Sequence, residues 1–368
     1  MREHFRCLRW CILLWSLSCN YYQPKSDTMQ HIPNPNDFYG NTSVQLLEDA
    51  IENEPSASAH YNLARIYAKK KQPNNALRHA KRALELAPTQ TTYLVFAASL
   101  YTKGKQYNEA KPLLRRTIRL DSSNWQAYAI FAHIGLAEKR YTTTKQMLRK
   151  LTPLLPNEAV VPHLKGQLAF ALKDTSDASV QFHRALRLRP NYLPTYNQLT
   201  RLYNYMEQPE QAIHYANKGL QYTTVGDSLH LQKGHAFLML ENTDSAKVAF
   251  EKAYRRNYNL YTASYELARI AFKRQQYKIA YRYIQHVKKF NRSLPKLYFY
   301  EGVCLQRLGR AQEALNAYRK AIQQDPRDLN ARGYYQQLRE RLALKRLREK
   351  QDSIYRAQKA AAEQRQEQ

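Results

Sequence analysis

The sequence predicts an all-α protein built as a tandem array of eight helix–turn–helix units, each 34 residues long. Three observations lead there. A period of 34 residues runs from Ala57 to Asp328 without insertion or deletion. Particular columns of that period hold small residues in nearly every copy. Helix formers dominate, and only 10 Gly interrupt them. A repeat of this length is weighed first, because it changes how every other residue is read.

The unit is clearest at residues 59–88, AHYNLARIYAKKKQPNNALRHAKRALELAP, which read as a helix, a short turn and a second helix. The eighth position of successive units holds Ala64, Ala98, Ala132, Gly166, Thr200, Gly234, Ala268 and Gly302. Twelve residues later come Ala76, Ala110, Thr144, Ala178, Ala212, Ala246, Ala280 and Ala314. Antiparallel helices approach closely only where facing side chains are small, so these columns mark the helix–helix seam. Four residues on, an apolar group of variable size fills the space between units: Ala80, Leu114, Leu148, Phe182, Ala216, Phe250, Ile284 and Tyr318. Pro88, Pro156, Pro190 and Pro326 follow second helices, which a proline cannot continue. The 29 Tyr are read as packing wedges of the same unit.

By period and by these columns, residues 57–328 resemble the tetratricopeptide repeat family. The resemblance implies an α-solenoid of eight repeats wound as a right-handed superhelix with a concave groove. It also implies a protein-binding scaffold and no enzyme, although a fold alone names no ligand. The repeats run 57–90, 91–124, 125–158, 159–192, 193–226, 227–260, 261–294 and 295–328. The third departs most: Gly135 stands where other units have Tyr67, Tyr101 or Tyr203, Thr144 replaces Ala, and Pro153 falls inside the second helix. This predicts a flexible joint near 150–163.

The flanks read differently. Residues 1–19 begin with Arg2, Arg6 and Arg9, continue with the apolar run Trp10–Leu17, and end in Ser18-Cys19. That is the layout of a secretory signal peptide, too short to span a bilayer. Ser18-Cys19 resembles a bacterial lipobox, with Ser16 where Leu is usual. The expectation is a lipidated Cys19 and a bacterial envelope location, membrane-anchored and facing the periplasm or the outside; a plain signal peptide or a cytosolic start are the alternatives. Residues 20–42, polar with Pro24, Pro33 and Pro35, read as a tether. Residues 43–56 read as an N-terminal capping helix, with Thr42 and Gln45 in capping-box spacing. Residues 329–368 read as a C-terminal capping helix, Leu338, Leu342 and Leu347 facing the last repeat, and then a polar, solvated helical tail.

Lys plus Arg number 58 against 30 Asp plus Glu, a net charge of +28 that favours anionic partners without choosing among them. Three of the four Cys lie in the first nineteen residues, so the body has no intrachain disulfide framework; Cys304 occupies an apolar column and reads as core. No phosphate loop, catalytic constellation, cofactor site or metal cluster is legible; His230 and His235 point in different directions on a helix. By the family resemblance, the second, fifth, sixth, ninth, twelfth and thirteenth residues of each first helix line the groove. Those columns hold the cations Arg65, Lys69, Lys103, Arg201, Arg269, Lys273, Lys296 and Arg307, with Glu266 the sole acid. The densest cation–aromatic group is Tyr265, Arg269, Phe272, Lys273, Lys296, Phe299, Tyr300 and Arg307. It suits peptides with acidic and apolar side chains. The Lys/Asn/Arg clamp by which some members of the family hold chaperone C-termini is absent. The runner-up reading is a basic solenoid that binds nucleic acid, or a cytosolic adaptor.

Overall fold

The computed structural model describes residues 41–53, 56–224 and 226–366. Cys19, the leader and the tether through residue 40 lie outside the described residues. Among the described residues there are eighteen helices and no strand. A first helix, α1 (Asn41–Asn53), precedes eight hairpins: α2 (Ala57–Lys69) with α3 (Pro73–Leu86), α4 (Thr91–Lys103) with α5 (Tyr107–Leu120), α6 (Trp125–Ala137) with α7 (Tyr141–Leu154), and α8 (Val160–Ala171) with α9 (Thr175–Leu188). Then come α10 (Leu193–Tyr205) with α11 (Pro209–Gln221), α12 (Asp227–Met239) with α13 (Thr243–Arg256), α14 (Tyr261–Lys273) with α15 (Tyr277–Phe290), and α16 (Leu297–Arg307) with α17 (Ala311–Gln324). The long α18 (Leu329–Gln366) closes the series. Every second helix starts at the same position of the 34-residue period, from Pro73 to Ala311.

Each hairpin ends its first helix in the same way. Lys71 N–H donates to Ala68 O at 3.2 Å and Gln72 N–H to Tyr67 O at 2.9 Å. This pair of bonds is a Schellman motif, which requires left-handed backbone at the residue after the cap. The equivalent bonds close all eight hairpins, ending with Gly309 N–H to Gln306 O and Arg310 N–H to Leu305 O. The left-handed residues are Lys71, Lys105, Lys139, Lys173, Glu207, Glu241, Gln275 and Gly309, one column of the repeat. Only the last is glycine, the residue for which this conformation is free of steric cost.

The seam columns are buried throughout, and they match in size. Where the eighth position is Ala, its partner sixteen residues on is aliphatic, as in Ala98 with Leu114 and Ala132 with Leu148. Where it is Gly, the partner is aromatic. A Cβ on Gly166 would lie 2.6 Å from the Phe182 ring, on Gly234 2.4 Å from Phe250, and on Gly302 2.5 Å from Tyr318. Each aromatic ring thus lies on the bare backbone of a glycine. All three rings are fully buried.

The chain divides into two compact units, Met1–Arg116 and Thr117–Gln368. In the first, Ala64, Ala80 and Ala97 form a core flanked by Leu84, Phe96, Leu100 and Leu113. α1 packs on α2, and Tyr67 Oη donates to Glu48 at 2.8 Å. α1 begins at Asn41, two residues before the predicted start. His60 and His79, both buried, place their Nδ1 atoms 3.1 Å apart, so one ring donates to the other.

In the second unit the core runs from hairpin to hairpin. Near 150–163, where the sequence predicts a flexible joint, Leu148 and Leu151 of α7 pack with Val161, Leu164 and Leu168 of α8 in one cluster. The third repeat is internally compensated. A Cβ on Gly135 would fall 2.5 Å from Thr144 Oγ1, so the missing side chain makes room for the larger one. At the far end Leu338 of α18 is buried against Val303, Leu315 and Tyr318. Leu347 is 58% exposed, contrary to the expectation that it faces the last repeat. The two leucines lie nine residues apart, which turns them to opposite faces of the helix.

Candidate functional site

The eight predicted site residues fall on α14, on α16 and on the residue that caps α16, all within the second unit. Their backbones are held by a shared core of Ala268, Ala271, Ala280, Ile284, Val287, Leu297 and Cys304, against which Tyr265, Phe272 and Tyr300 pack half-buried. Cys304 is buried, and burial together with nearby Glu301 pushes its thiol up to about 12. It is therefore a core group and no nucleophile.

Most of the eight form a connected row. Tyr265 Oη donates to the Pro295 carbonyl at 2.5 Å, which ties α14 to the turn before α16. Burial, helped by Tyr300, raises the Tyr265 phenol above its ordinary range, so it remains a donor. Arg269 Nη1 donates to Glu266 at 2.8 Å. Burial opposes the Arg269 charge, but Glu266, Tyr300 and Tyr265 together hold its pKa above the ordinary value. Phe272 meets Tyr300 with ring centroids 4.7 Å apart and Tyr277 at 6.1 Å. Arg307 lies over the Tyr277 ring at 5.8 Å. The row thus reads Pro295, Tyr265, Arg269, Tyr300, Phe272, Tyr277, Arg307.

Three predicted members stand apart from it. Lys273 and Lys296 are exposed, and Lys296 holds left-handed backbone with φ 56°. Phe299 touches Tyr300 at 6.0 Å but turns mainly to Tyr334 at 5.5 Å and Tyr318 at 6.2 Å. It therefore belongs as much to the packing of α17 and α18 as to the surface. Glu266, read as the acid of the groove, is 8% exposed and clamps Arg269 from below.

Tyr277 and Tyr281 join this surface from α15, a second helix, outside the first-helix columns that the family resemblance assigns to the groove. Arg310 lies over Tyr281 at 5.0 Å and pairs with Glu313 at 2.7 Å. A signal was present in the sequence: Tyr277 and Tyr281 sit four apart, on one helix face. The Arg-over-ring contact recurs elsewhere, with Arg201 over Phe170 at 5.7 Å in this unit and Arg65 over Tyr61 at 5.6 Å in the first. Among the described residues no group of three or more His, Cys, Asp or Glu is placed to hold a metal ion. No described helix is long and apolar enough to cross a membrane.

The fold and these surfaces define an all-α repeat protein with an α-solenoid architecture. Three stretches of the chain, residues 57–90, 231–280 and 295–328, match descriptions of the tetratricopeptide repeat. Among solved structures it is similar to PilF of Pseudomonas aeruginosa, 17% identical with TM-score 0.54, over 60% of this chain and 98% of that one. It is similar also to yeast Tom70, 16% identical with TM-score 0.56, over 77% of this chain and 60% of that one. A third is human IFIT1, solved as a dimer with m7Gppp-AAAA, 18% identical with TM-score 0.55, over 84% of this chain and 78% of that one. At these identities the likeness is one of fold. No curated protein sequence matches the chain.

Proposed function

We propose that this protein is a non-catalytic scaffold that binds partner proteins or peptides on the surface formed by α14, α15 and α16. We propose further that Cys19 tethers it to a bacterial envelope membrane, on the periplasmic or outer side. The observation that carries the binding half is the connected row from Pro295 to Arg307. Its rings offer flat, half-buried faces, and burying such area supplies most of the energy of recognition. Exposed Lys273, Lys296 and Arg307 favour acidic residues in the ligand at about 0.2–1 kcal/mol per pair, enough to select register but too little to bind alone. The tether reading is supported by the order of arginines, apolar run, Ser18-Cys19 and polar spacer in the sequence.

Two measurements test the reading. Immobilised protein should capture an envelope partner, or peptides alternating acidic and aromatic residues, and R269E/K273E should lose that capture; unchanged capture would reject the surface. Metabolic fatty-acid labelling should mark the wild type and not Cys19→Ala. An unlabelled wild type removes the tether. The net charge of +28 favours one second reading, a nucleic-acid-binding solenoid. The m7Gppp-AAAA in the IFIT1 structure belongs to another protein of this fold. Binding of RNA with a steep salt dependence, together with failure to capture peptides, would favour it.

A further inference from the structure

The seventh position of the repeat is a core position. Leu63, Ala97, Phe131, Leu199 and Leu267 occupy it and are all buried. Three units break the rule, with Lys165, Lys233 and Glu301. In two of these the second helix of the preceding unit supplies a complementary partner. Lys233 Nζ donates to Asn217 Oδ1 at 2.7 Å. Glu301 Oε1 accepts from Gln285 at 2.7 Å and from Lys288 at 2.6 Å. Asn217 and Gln285 hold the same position of their units, the twenty-fifth.

At Lys165 the pattern inverts. The residue at the twenty-fifth position of the preceding unit is Arg149, a second cation. Arg149, Lys145 and Lys165 together line a cleft of about 210 Å³ between α7 and α8, with Leu148, Leu168 and Thr152 completing the wall. None of the lining side chains is acidic. Thr152 Oγ1 donates to the Leu148 carbonyl at 2.7 Å, so that hydroxyl neutralises nothing. Three cationic side chains therefore line an open, largely apolar cleft with no acid among its walls, where the array elsewhere provides a partner.

We infer that this cleft is a binding site for a phosphoryl group, the anion of the ligand taking the place of the missing counter-charge. Arginine presents a planar fork matched to phosphate, and the two lysines, long and flexible, can bring point charges to the rim. The site is separate from the row on α14–α16 and does not depend on it.

The test is calorimetric titration of the full chain with sodium phosphate and sodium pyrophosphate at constant ionic strength, with parallel thermal melts. Pyrophosphate should bind saturably at one site and raise the melting temperature. Lys165→Leu, which restores the apolar residue of the column, should weaken binding at least tenfold while raising the melting temperature of the ligand-free protein. Arg149→Leu should weaken binding similarly. Lys345→Leu, which removes the same charge from exposed α18, should leave binding intact. Flotation with vesicles containing phosphatidate separates the two sources of the group. Saturable pyrophosphate binding points to a free phosphate. Binding to vesicles alone, still lost in Lys165→Leu, points to a lipid headgroup. Binding at many sites without saturation, no binding to either probe, or equal binding by Lys165→Leu and Lys345→Leu overturns the inference.

Discussion

Replacing Gly302 by Ala would add one methyl group where the seam is tightest. The new Cβ would lie 2.5 Å from two carbons of the Tyr318 ring and 3.0 Å from a third. Carbon atoms rest at about 3.5–4.0 Å, so the ring must retreat by roughly 1 Å. It has little room to do so. Tyr318 is 0% exposed, its hydroxyl donates to Gln306 at 2.7 Å, and Phe299 and Tyr334 flank it. Over-packing of this kind costs about 1–3 kcal/mol. Ala is favoured over Gly within a helix by about 0.5–1 kcal/mol, so the net loss lies between about 0 and 2.5 kcal/mol, with a midpoint of about 1 kcal/mol. Gly333 supplies the reference, since a Cβ there meets nothing within 4 Å. Gly333→Ala should therefore stabilise by about 0.5–1 kcal/mol. Hydrogen exchange across α16 and α17 of the full chain reads the effect locally, which matters because repeat arrays need not unfold as one. Gly302→Ala should lower protection there by about 5-fold, and by no more than about 70-fold. Combining it with Tyr318→Leu, the residue type of Leu114 and Leu148 in that column, should abolish the penalty and give a coupling of at least about 1 kcal/mol. If Gly302→Ala stabilises as Gly333→Ala does, or if its penalty persists beside Tyr318→Leu, size matching does not govern the seam.

Two further outcomes follow from buried polar groups. His163 is 6% exposed, with Nδ1 2.9 Å from Thr195 Oγ1, and burial foremost, then His133, lowers its pKa from 6.5 to about 4. The unfolded chain then takes up the proton first as pH falls, so stability is full above 6.5 and is lost on the way down to about 4. The contribution is at most about 3 kcal/mol; urea midpoints at pH 7 and pH 4.5 should show it, and the difference should shrink in His163→Gln. Glu301→Leu, although it installs the usual apolar residue, should destabilise by about 3 kcal/mol, because Lys288 is left half-buried beside Tyr298 without its counter-charge. Lys165→Leu in the same column has the opposite sign, and thermal melts of the two variants separate the cases.

Much of the fold is legible in the sequence, because the seam is written in residue size. A helix face that must pass close to another shows as Ala or Gly at a fixed spacing, and a one-residue slip would destroy the pattern. The matching of Gly166, Gly234 and Gly302 to Phe182, Phe250 and Tyr318 is legible in the same columns. Other features leave no such trace. Lys71, Glu207 and Gln275 do not announce left-handed backbone, which is imposed by hydrogen bonds of the main chain. Thr144 looks like a defect until Gly135 is seen opposite. Glu266 falls in a column expected to line the groove, yet it is buried and pairs with the more exposed Arg269 one helical turn on. The site itself was half visible: the α14 and α16 residues stood out, while Tyr277 joins them only through the return of α15.

Seven of the eight hairpins stop their first helix on a lysine, glutamate or glutamine in left-handed backbone, at about 1–2 kcal/mol each, which glycine would relieve less its own flexibility cost of about 0.5–1 kcal/mol. Because a repeat chiefly feels its neighbours, such costs stay where they arise. Stiffness in this array is accordingly not one property of the whole molecule but a string of local settings, each adjustable by a single residue outside the core. The hairpin already set to glycine is the one whose Gly309 ends α16, the helix that bears Phe299, Tyr300 and Arg307. The surface with most need of a fixed shape stands on the least strained turn.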